Sequence, residues 1–120
     1  MQKDVSEKTR KVLEVLTQEQ KKLTITNLSL LATAKCDLTE LYILMTAGAT
    51  EDGMNVKDLS VGLGISTSAV SVRLSKYMKV GLITITQSRD DRRVNLVQTT
   101  AAGDEKAAEG MRALAYYEKL

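Results

Sequence analysis

Residues 81–103 read GLITITQSRDDRRVNLVQTTAAG, and this stretch decides the fold. Isoleucine and threonine alternate over residues 83–86, and Val94, Leu96 and Val97 supply the apolar positions of a second run. Two short runs of this kind around a polar loop are typical of a β-hairpin. The loop between them holds a dense group of charges, Arg89-Asp90-Asp91-Arg92-Arg93. The sequence therefore predicts a hairpin with three arginines at its tip.

A helix–turn–helix pattern lies directly before this hairpin. Val56–Leu63 predicts a short helix that ends at Gly64, a residue free to adopt a positive φ. Ser66 is placed to cap a second helix that runs to about Val80, and Ile65 would fill the corner between the two helices. The inward face of the second helix follows the spacing i, i+4, i+7 and i+8, with Val70, Leu74, Tyr77 and Met78.

The opposite face of the second helix is polar and rich in serine. Its members are Thr67, Ser68, Ser71, Val72, Ser75, Lys76 and Lys79. Small hydroxyl residues let a helix approach DNA closely, and their hydroxyl and N–H groups can bind phosphates or base edges. The same serines are also explained as ordinary helix caps, so this face alone does not establish a binding site.

An amphipathic helix is predicted near the start of the chain. Residues 4 to about 23 carry apolar side chains at a heptad-like spacing, with Val5, Val12, Leu16 and Leu23 on one face. Residues 23–36 fit a helix as well, although the Thr/Asn cluster at 24–27 suggests a bend. The first helix is therefore either long or split in two.

Two further helices are predicted from their caps. Asp37 and Glu40 form a capping box for a helix over Leu38–Ala47, whose apolar face carries Leu41, Leu44 and Met45. Ala49–Asn55 reads as a polar loop. Thr100 caps a last helix over Ala101–Leu120.

Composition excludes several classes of function. The 120 residues suffice for one domain, and 43% hydrophobic and 27% charged residues are ordinary for a globular protein. The sequence has no histidine and a single cysteine, Cys36, so neither an intramolecular disulfide, a transition-metal site nor a cofactor is expected. Histidine-based acid–base catalysis is impossible, and no phosphate-binding or nucleophile-elbow motif occurs, so we do not expect an enzyme.

No apolar run is long enough to span a membrane, and the first residues lack the apolar block of a signal peptide. The expected location is therefore the cytoplasm.

Basic residues are concentrated in one third of the chain. Between Lys57 and Arg93 there are seven basic and three acidic residues, a net charge of +4, whereas the rest of the chain has a net charge of −2. A local excess of this kind is typical of a nucleic-acid-binding surface. A charged hairpin alone would be explained as a solvated turn. Its position directly after a serine-rich helix predicts that helix and hairpin share one DNA-binding face.

The stretch from about Val56 to Gly103 resembles the winged helix–turn–helix domain of the MarR-type transcription regulators. The family pattern reads D-x-R, four or five mostly apolar residues, then Leu-Thr-x-x-Gly, and it is matched in register by Asp91, Arg93, Thr100 and Gly103. LGISTSAVSVRLSKYMKVGLI, residues 63–83, resembles the recognition helix and the Gly-Leu-Ile that follows it. The chain is short for the family, with one helix after the wing. Three positions depart from the pattern, since Thr99 replaces leucine, Arg73 an apolar residue and Ser60 an alanine.

The resemblance implies a mainly α fold with a small β-hairpin. In a single domain over residues 1–120, a winged helix–turn–helix at 37–100 would be flanked by dimerisation segments at 1–36 and 101–120. It further implies a homodimeric, sequence-specific transcription regulator, more often a repressor, that binds double-stranded DNA at a pseudo-palindromic operator. Arg93 would enter the minor groove with Asp91 as its orienting partner, and Thr67, Ser68, Ser71, Val72 and Ser75 would lie at the major groove. Phosphate contacts would come from Lys57, Arg73, Lys76, Lys79, Arg89 and Arg92.

Several features have two explanations. The apolar stripes of the terminal helices either pack across a two-fold axis, which we favour because symmetric dimers dominate homo-oligomers, or fold back on the chain's own core. Cys36 is either an oxidant sensor or, as we favour, a small buried apolar residue. A small-molecule effector is an open prediction, because Tyr42, Tyr77, Tyr116 and Tyr117 either line a pocket for it or belong to the core or an interface. The alternative function is a winged helix that binds another protein, against which the three arginines favour DNA.

Overall fold

Residues 6–116, described by a computed structural model, fold into five helices and one small antiparallel sheet. In chain order the elements are α1 (Glu7–Ala34), α2 (Leu38–Gly48), β1 (Met54–Asn55), α3 (Val56–Leu63), α4 (Thr67–Lys79), β2 (Ile83–Gln87), β3 (Asn95–Thr99) and α5 (Ala101–Ala115). The predicted mainly α fold with a β-hairpin is confirmed. Val5, Tyr117 and the predicted end of the last helix at Leu120 lie outside the described residues.

The first helix is long and unbroken. Its predicted bend at residues 24–27 is absent because Thr24 Oγ1 donates to the carbonyl of Gln20 at 3.0 Å, which satisfies the hydroxyl within the helix. Asn27 bonds outward instead, and its Oδ1 accepts from the backbone N–H of Leu38 at 2.8 Å. Residues 7–25 of α1 are exposed, whereas Leu30 and Ala34 are buried, so the first half of α1 projects away from the core.

The core lies between α2, α4, α5 and the sheet. Its fully buried side chains include Ile43, Leu44, Leu59, Val70, Leu74, Tyr77, Ile83 and Val97. The prediction that Met45 and Met78 belong to the core is wrong, because both side chains are exposed. Helical spacing places each of them at the edge of an apolar stripe, and only the packing of neighbouring helices decides which edge is covered.

The cap of α2 forms as predicted, but the reciprocal half of the capping box does not. Asp37 Oδ1 accepts from the backbone N–H of Glu40 at 2.8 Å. The carboxylate of Glu40 turns instead toward α5, where its Oε2 lies 2.8 Å from Lys106 Nζ. Since Glu40 is buried, this charge needs a cation more than the cap needs a second hydrogen bond.

The sheet has the order β1-β3-β2, and both pairings are antiparallel. The predicted loop Ala49–Asn55 is wrong at its end, because Met54 and Asn55 form β1 and pair with Val97 and Leu96. A strand of two residues is too short to show an alternating pattern. Gly53 precedes it at φ +94°, where a Cβ would lie 2.9 Å from the carbonyl oxygen of Val97.

Candidate nucleic-acid interface

The turn between α3 and α4 is closed by hydrogen bonds around Ser60. Gly64 adopts φ +69° and donates its N–H to the carbonyl of Ser60 at 2.9 Å. The hydroxyl of Ser60 donates to the carbonyl of Ile65 at 2.5 Å, so the residue that replaces the family's alanine adds a bond across the turn. Leu59 is fully buried and Ile65 packs against the core, which sets the angle between the two helices.

The orientation of α4 is set by its buried face. Val70, Leu74 and Tyr77 are buried in the core, and Ser66 caps the helix by accepting from the N–H of Ala69 at 3.1 Å. The opposite side of the helix therefore faces outward. All seven residues predicted for that face are exposed: Thr67, Ser68, Ser71, Val72, Ser75, Lys76 and Lys79.

The hairpin closes through a compact loop. The N–H of Ser88 donates to the carbonyl of Val94 at 2.8 Å, and the N–H of Val94 donates to the carbonyl of Asp91 at 2.9 Å. Ser88 Oγ accepts from the N–H groups of Asp90 and Asp91 at 3.2 and 3.4 Å. Sequence analysis missed this role, although a serine directly before a charged turn is a recognised local signal.

Asp91, which the resemblance implies as the orienting partner of Arg93, forms a bidentate ion pair with it. Arg93 Nε and Nη2 lie 3.1 and 3.3 Å from the two carboxylate oxygens of Asp91, and the N–H of Arg93 donates to Oδ1 at 3.0 Å. The side-chain bonds from Arg93, with its backbone bond second, lower the pKa of Asp91. The Arg93 side chain is 91% exposed, so the pair orients the guanidinium and adds little stability.

The other cationic groups of the interface are available to a ligand. Lys57, Lys76, Lys79, Arg89 and Arg92 are exposed, and none of them forms an ion pair within residues 6–116. Exposed cations without an internal partner are what phosphate binding requires.

Arg73 stands apart from this exposed set. Its side chain is half-buried, and Nη1 lies 3.1 Å from Asp37 Oδ2, 3.3 Å from Asp37 Oδ1 and 3.1 Å from the hydroxyl of Tyr77. The hydrogen bond with Tyr77 raises the pKa of Arg73, and burial raises the pKa of Tyr77. The guanidinium thus points to the start of α2, and its role as a phosphate contact stays a prediction.

Thr100 and Gly103 hold the base of the hairpin against α5. Thr100 donates its N–H to the carbonyl of Leu82 at 3.0 Å and its hydroxyl to the carbonyl of Gly81 at 2.6 Å. Gly103 donates to Thr100 Oγ1 at 3.1 Å, and a Cβ on Gly103 would overlap the carbonyl oxygen of Leu82. The Thr-x-x-Gly of the sequence pattern therefore allows the start of α5 to pack closely against the backbone of Gly81 and Leu82. Thr99, which stands where the pattern has leucine, donates its hydroxyl to Asp104 Oδ1 at 2.5 Å.

Cys36 and the tyrosines occupy different environments. Cys36 is buried, and its burial, followed by the charge of Glu40, raises the pKa of the thiol. Tyr77 belongs to the core and Tyr116 is exposed, whereas Tyr42 borders an apolar cavity of about 380 Å³ between α2, α3 and α5. The described residues contain no cluster of potential metal ligands, and no helix among them is long and apolar enough to cross a membrane.

No protein-family model and no curated protein matches the sequence. Solved structures do match. The transcriptional regulator BldR from Sulfolobus solfataricus is 18% identical over 95% of this chain and 81% of its own, with a TM-score of 0.81. AbsC, a MarR family transcriptional regulator from Streptomyces coelicolor, is 17% identical over 92% of this chain and 76% of its own, with a TM-score of 0.80. FabT from Streptococcus pneumoniae, solved in complex with DNA, is 22% identical over 92% and 79%, with a TM-score of 0.73.

The TM-scores, over more than 90% of this chain, establish the fold. The chain has the winged helix–turn–helix fold of the MarR-family transcriptional regulators, as the sequence resemblance predicted. In that fold α3 and α4 are the helix–turn–helix, and the β2–β3 hairpin is the wing.

Proposed function

We propose that this protein is a sequence-specific DNA-binding transcription regulator. The observation that carries the proposal is the separation within α4, whose buried face anchors it while hydroxyl and cationic groups cover the outward face. The fold is one that FabT presents in a complex with DNA, and the neighbours are regulators rather than enzymes. The helix α4 would enter a major groove, and the wing would reach the adjacent minor groove.

The interface residues have separate tasks in this proposal. Thr67, Ser68, Ser71, Val72 and Ser75 would meet base edges, since direct reading of sequence requires groups that reach the groove floor. Arg93, held by Asp91, would enter the minor groove, where narrow A·T stretches attract arginine. The exposed cations Lys57, Lys76, Lys79, Arg89 and Arg92 would bind phosphates and make the affinity strongly salt-dependent.

A homodimer is the second part of the proposal. Eight large apolar side chains of α1 are more than half exposed: Val12, Leu13, Val15, Leu16, Leu23, Ile25, Leu28 and Leu31. A stripe of that size on a projecting helix needs a partner surface. On α5, Ala107 is buried and Leu114 packs against the core, so this helix folds back in part on its own chain. We place the dimer contact chiefly on α1, with Leu16→Glu expected to give monomers in sedimentation experiments.

Symmetry then determines the operator. Two copies related by a two-fold axis would bind a pseudo-palindromic site with half-sites about one helical turn or a multiple of it apart. Repression by blocking access of the polymerase is the proposed outcome, and the proposed location is the cytoplasm. A small apolar effector would bind in the cavity bordered by Tyr42, and its binding would raise the melting temperature of the protein.

Selection of bound duplexes from a random DNA pool tests this function. The expected product is a palindromic consensus whose affinity falls steeply with salt concentration. A protein-binding winged helix would instead enrich no consensus and show no steep salt dependence. A consensus without palindromy would support DNA binding and contradict the dimer.

A further inference from the structure

One carboxylate joins the recognition helix α4 to the corner between α1 and α2. Asp37 caps α2 through the N–H of Glu40 at 2.8 Å, and the same carboxylate receives Arg73 Nη1 at 3.1 and 3.3 Å. Helix α1 ends at Ala34, and Lys35 turns the chain at φ +55° toward Asp37. The first turn of α2 and the middle of α4 are therefore fixed to the same group.

The hydrogen bonds between Arg73 and Asp37 are directional, whereas the apolar packing beside them is not. Val70 and Leu74 hold α4 by apolar packing, which is non-directional and tolerates a small rotation of the helix. The guanidinium instead bonds to two different groups, and one of them, the hydroxyl of Tyr77, belongs to a buried side chain. Side-chain exposures of 38% for Arg73 and 29% for Asp37 keep this contact partly shielded from water. Because Tyr77 lies on α4 itself, a rotation of α4 about its axis would keep the bond between Arg73 and Tyr77 but would break the bonds to Asp37.

We propose that Arg73 is a positioning residue, and that its pair with Asp37 holds α4 at the angle at which the serine face meets base edges. This inference rests on the proposed function and gives Arg73 a different role from the predicted phosphate contact. It concerns sequence discrimination, because a rotated helix would still present its cations to phosphates but would displace Ser71 and Ser75 from the bases. The ratio of specific to non-specific affinity is therefore the quantity that the pair controls.

Asp37→Asn is the decisive variant. Asparagine caps helices as well as aspartate does, so α2 keeps its cap while the ion pair is lost. Removing an acidic group from a DNA-binding protein strengthens non-specific binding by simple electrostatics. Positioning predicts the opposite for the selected operator, a loss of specific affinity of roughly tenfold, within the usual range of coupling between contacting residues.

Two substitutions of Arg73 separate positioning from phosphate binding. For Arg73→Gln, positioning predicts the same specific loss as Asp37→Asn, no further loss in the double variant, and an unchanged salt slope. A lost phosphate contact would lower the slope of log affinity against log salt by about 0.9 and weaken all sequences alike. Arg73→Lys keeps the charge, but its side chain is shorter and Nζ cannot take the position from which Nη1 contacts both Asp37 and Tyr77, so positioning predicts a specific loss here too.

The measurement is fluorescence anisotropy with the selected operator and a scrambled duplex over a salt series, at temperatures where circular dichroism shows each variant folded. The proposal is overturned if Asp37→Asn leaves the specificity ratio unchanged, or if Arg73→Gln reduces the salt slope with equal losses on both duplexes. If the unmodified protein binds neither duplex in a salt-dependent manner, the proposed function fails first and this inference fails with it.

Discussion

Arg93 donates hydrogen bonds to Asp91 from both its side chain and its backbone. Nε lies 3.1 Å from Oδ1, Nη2 lies 3.3 Å from Oδ2, and the N–H of Arg93 donates to Oδ1 at 3.0 Å. The two residues are separated only by Arg92, so the loop itself sets the direction of the guanidinium. A side chain that is ordered before it meets its ligand loses less entropy on binding.

Arg93→Ala is expected to weaken binding to the selected operator by roughly tenfold to a hundredfold, in the range of a good groove contact. Because the side chain is 91% exposed, the free energy of unfolding is expected to change by no more than about 0.5 kcal/mol. Arg89→Ala is the matched control, since Arg89 has no ion pair among the described residues and is expected to affect all sequences alike. Unchanged operator affinity of Arg93→Ala at matched salt would show that the wing assignment is wrong.

The titration of Asp91 reports on the same contact. Hydrogen bonds from Arg93 lower the pKa of Asp91. Their contribution to the stability of the folded state is therefore complete above the ordinary aspartate pKa, and it is lost as the pH falls through the lowered value. Arg93→Gln is expected to move the Asp91 midpoint upward, as measured by carboxyl carbon NMR. An Asp91 midpoint that is the same with and without Arg93 would contradict the pairing in solution.

Gly103→Ala tests the packing of α5 against the base of the wing. A Cβ at this position overlaps the backbone oxygen of Leu82, which cannot move without shifting β2, and we expect a loss of stability of about 1–3 kcal/mol. Gly110→Ala in the same helix is the matched control, because its Cβ would meet the end of the flexible Leu41 side chain at 2.8 Å. Urea denaturation measures both, and equal stabilities of the two variants would argue against the close approach at Gly103.

Cys36 is expected to react slowly in the folded protein. The residue is 2% exposed, and burial raises the pKa of its thiol, so at neutral pH the reactive thiolate is rarer than in the unfolded chain. Alkylation by iodoacetamide is therefore expected to be at least about tenfold slower in buffer than in urea, consistent with a raised pKa and restricted access. Cys36→Ala is expected to bind DNA with the affinity of the unmodified protein. Peroxide that releases DNA from the unmodified protein but not from this variant would instead identify Cys36 as an oxidant sensor.

Local signals accounted for most of the elements. The bounds of α3, the caps at Asp37, Ser66 and Thr100, and the hairpin were all predicted, because each depends on residues within a few positions of one another. The outward face of α4 was predicted as well, since helical periodicity alone separates it from Val70 and Leu74. Whether its residues bind DNA stays a prediction.

The tertiary structure alone decided which distant groups meet. Arg73 lies 36 residues from Asp37. The carboxylate of Glu40 pairs with Lys106 on α5 and does not complete the capping box of α2. A sequence shows that such charges exist but not how helices cross, and the crossing selects the partner. The sequence by itself therefore determined the elements, their caps and the charged wing, because these follow from local hydrogen bonding and periodicity. The arrangement of α2, α4 and α5 determined that Asp37 meets Arg73 and that Glu40 meets Lys106, because burial requires each charge to find its partner in three dimensions.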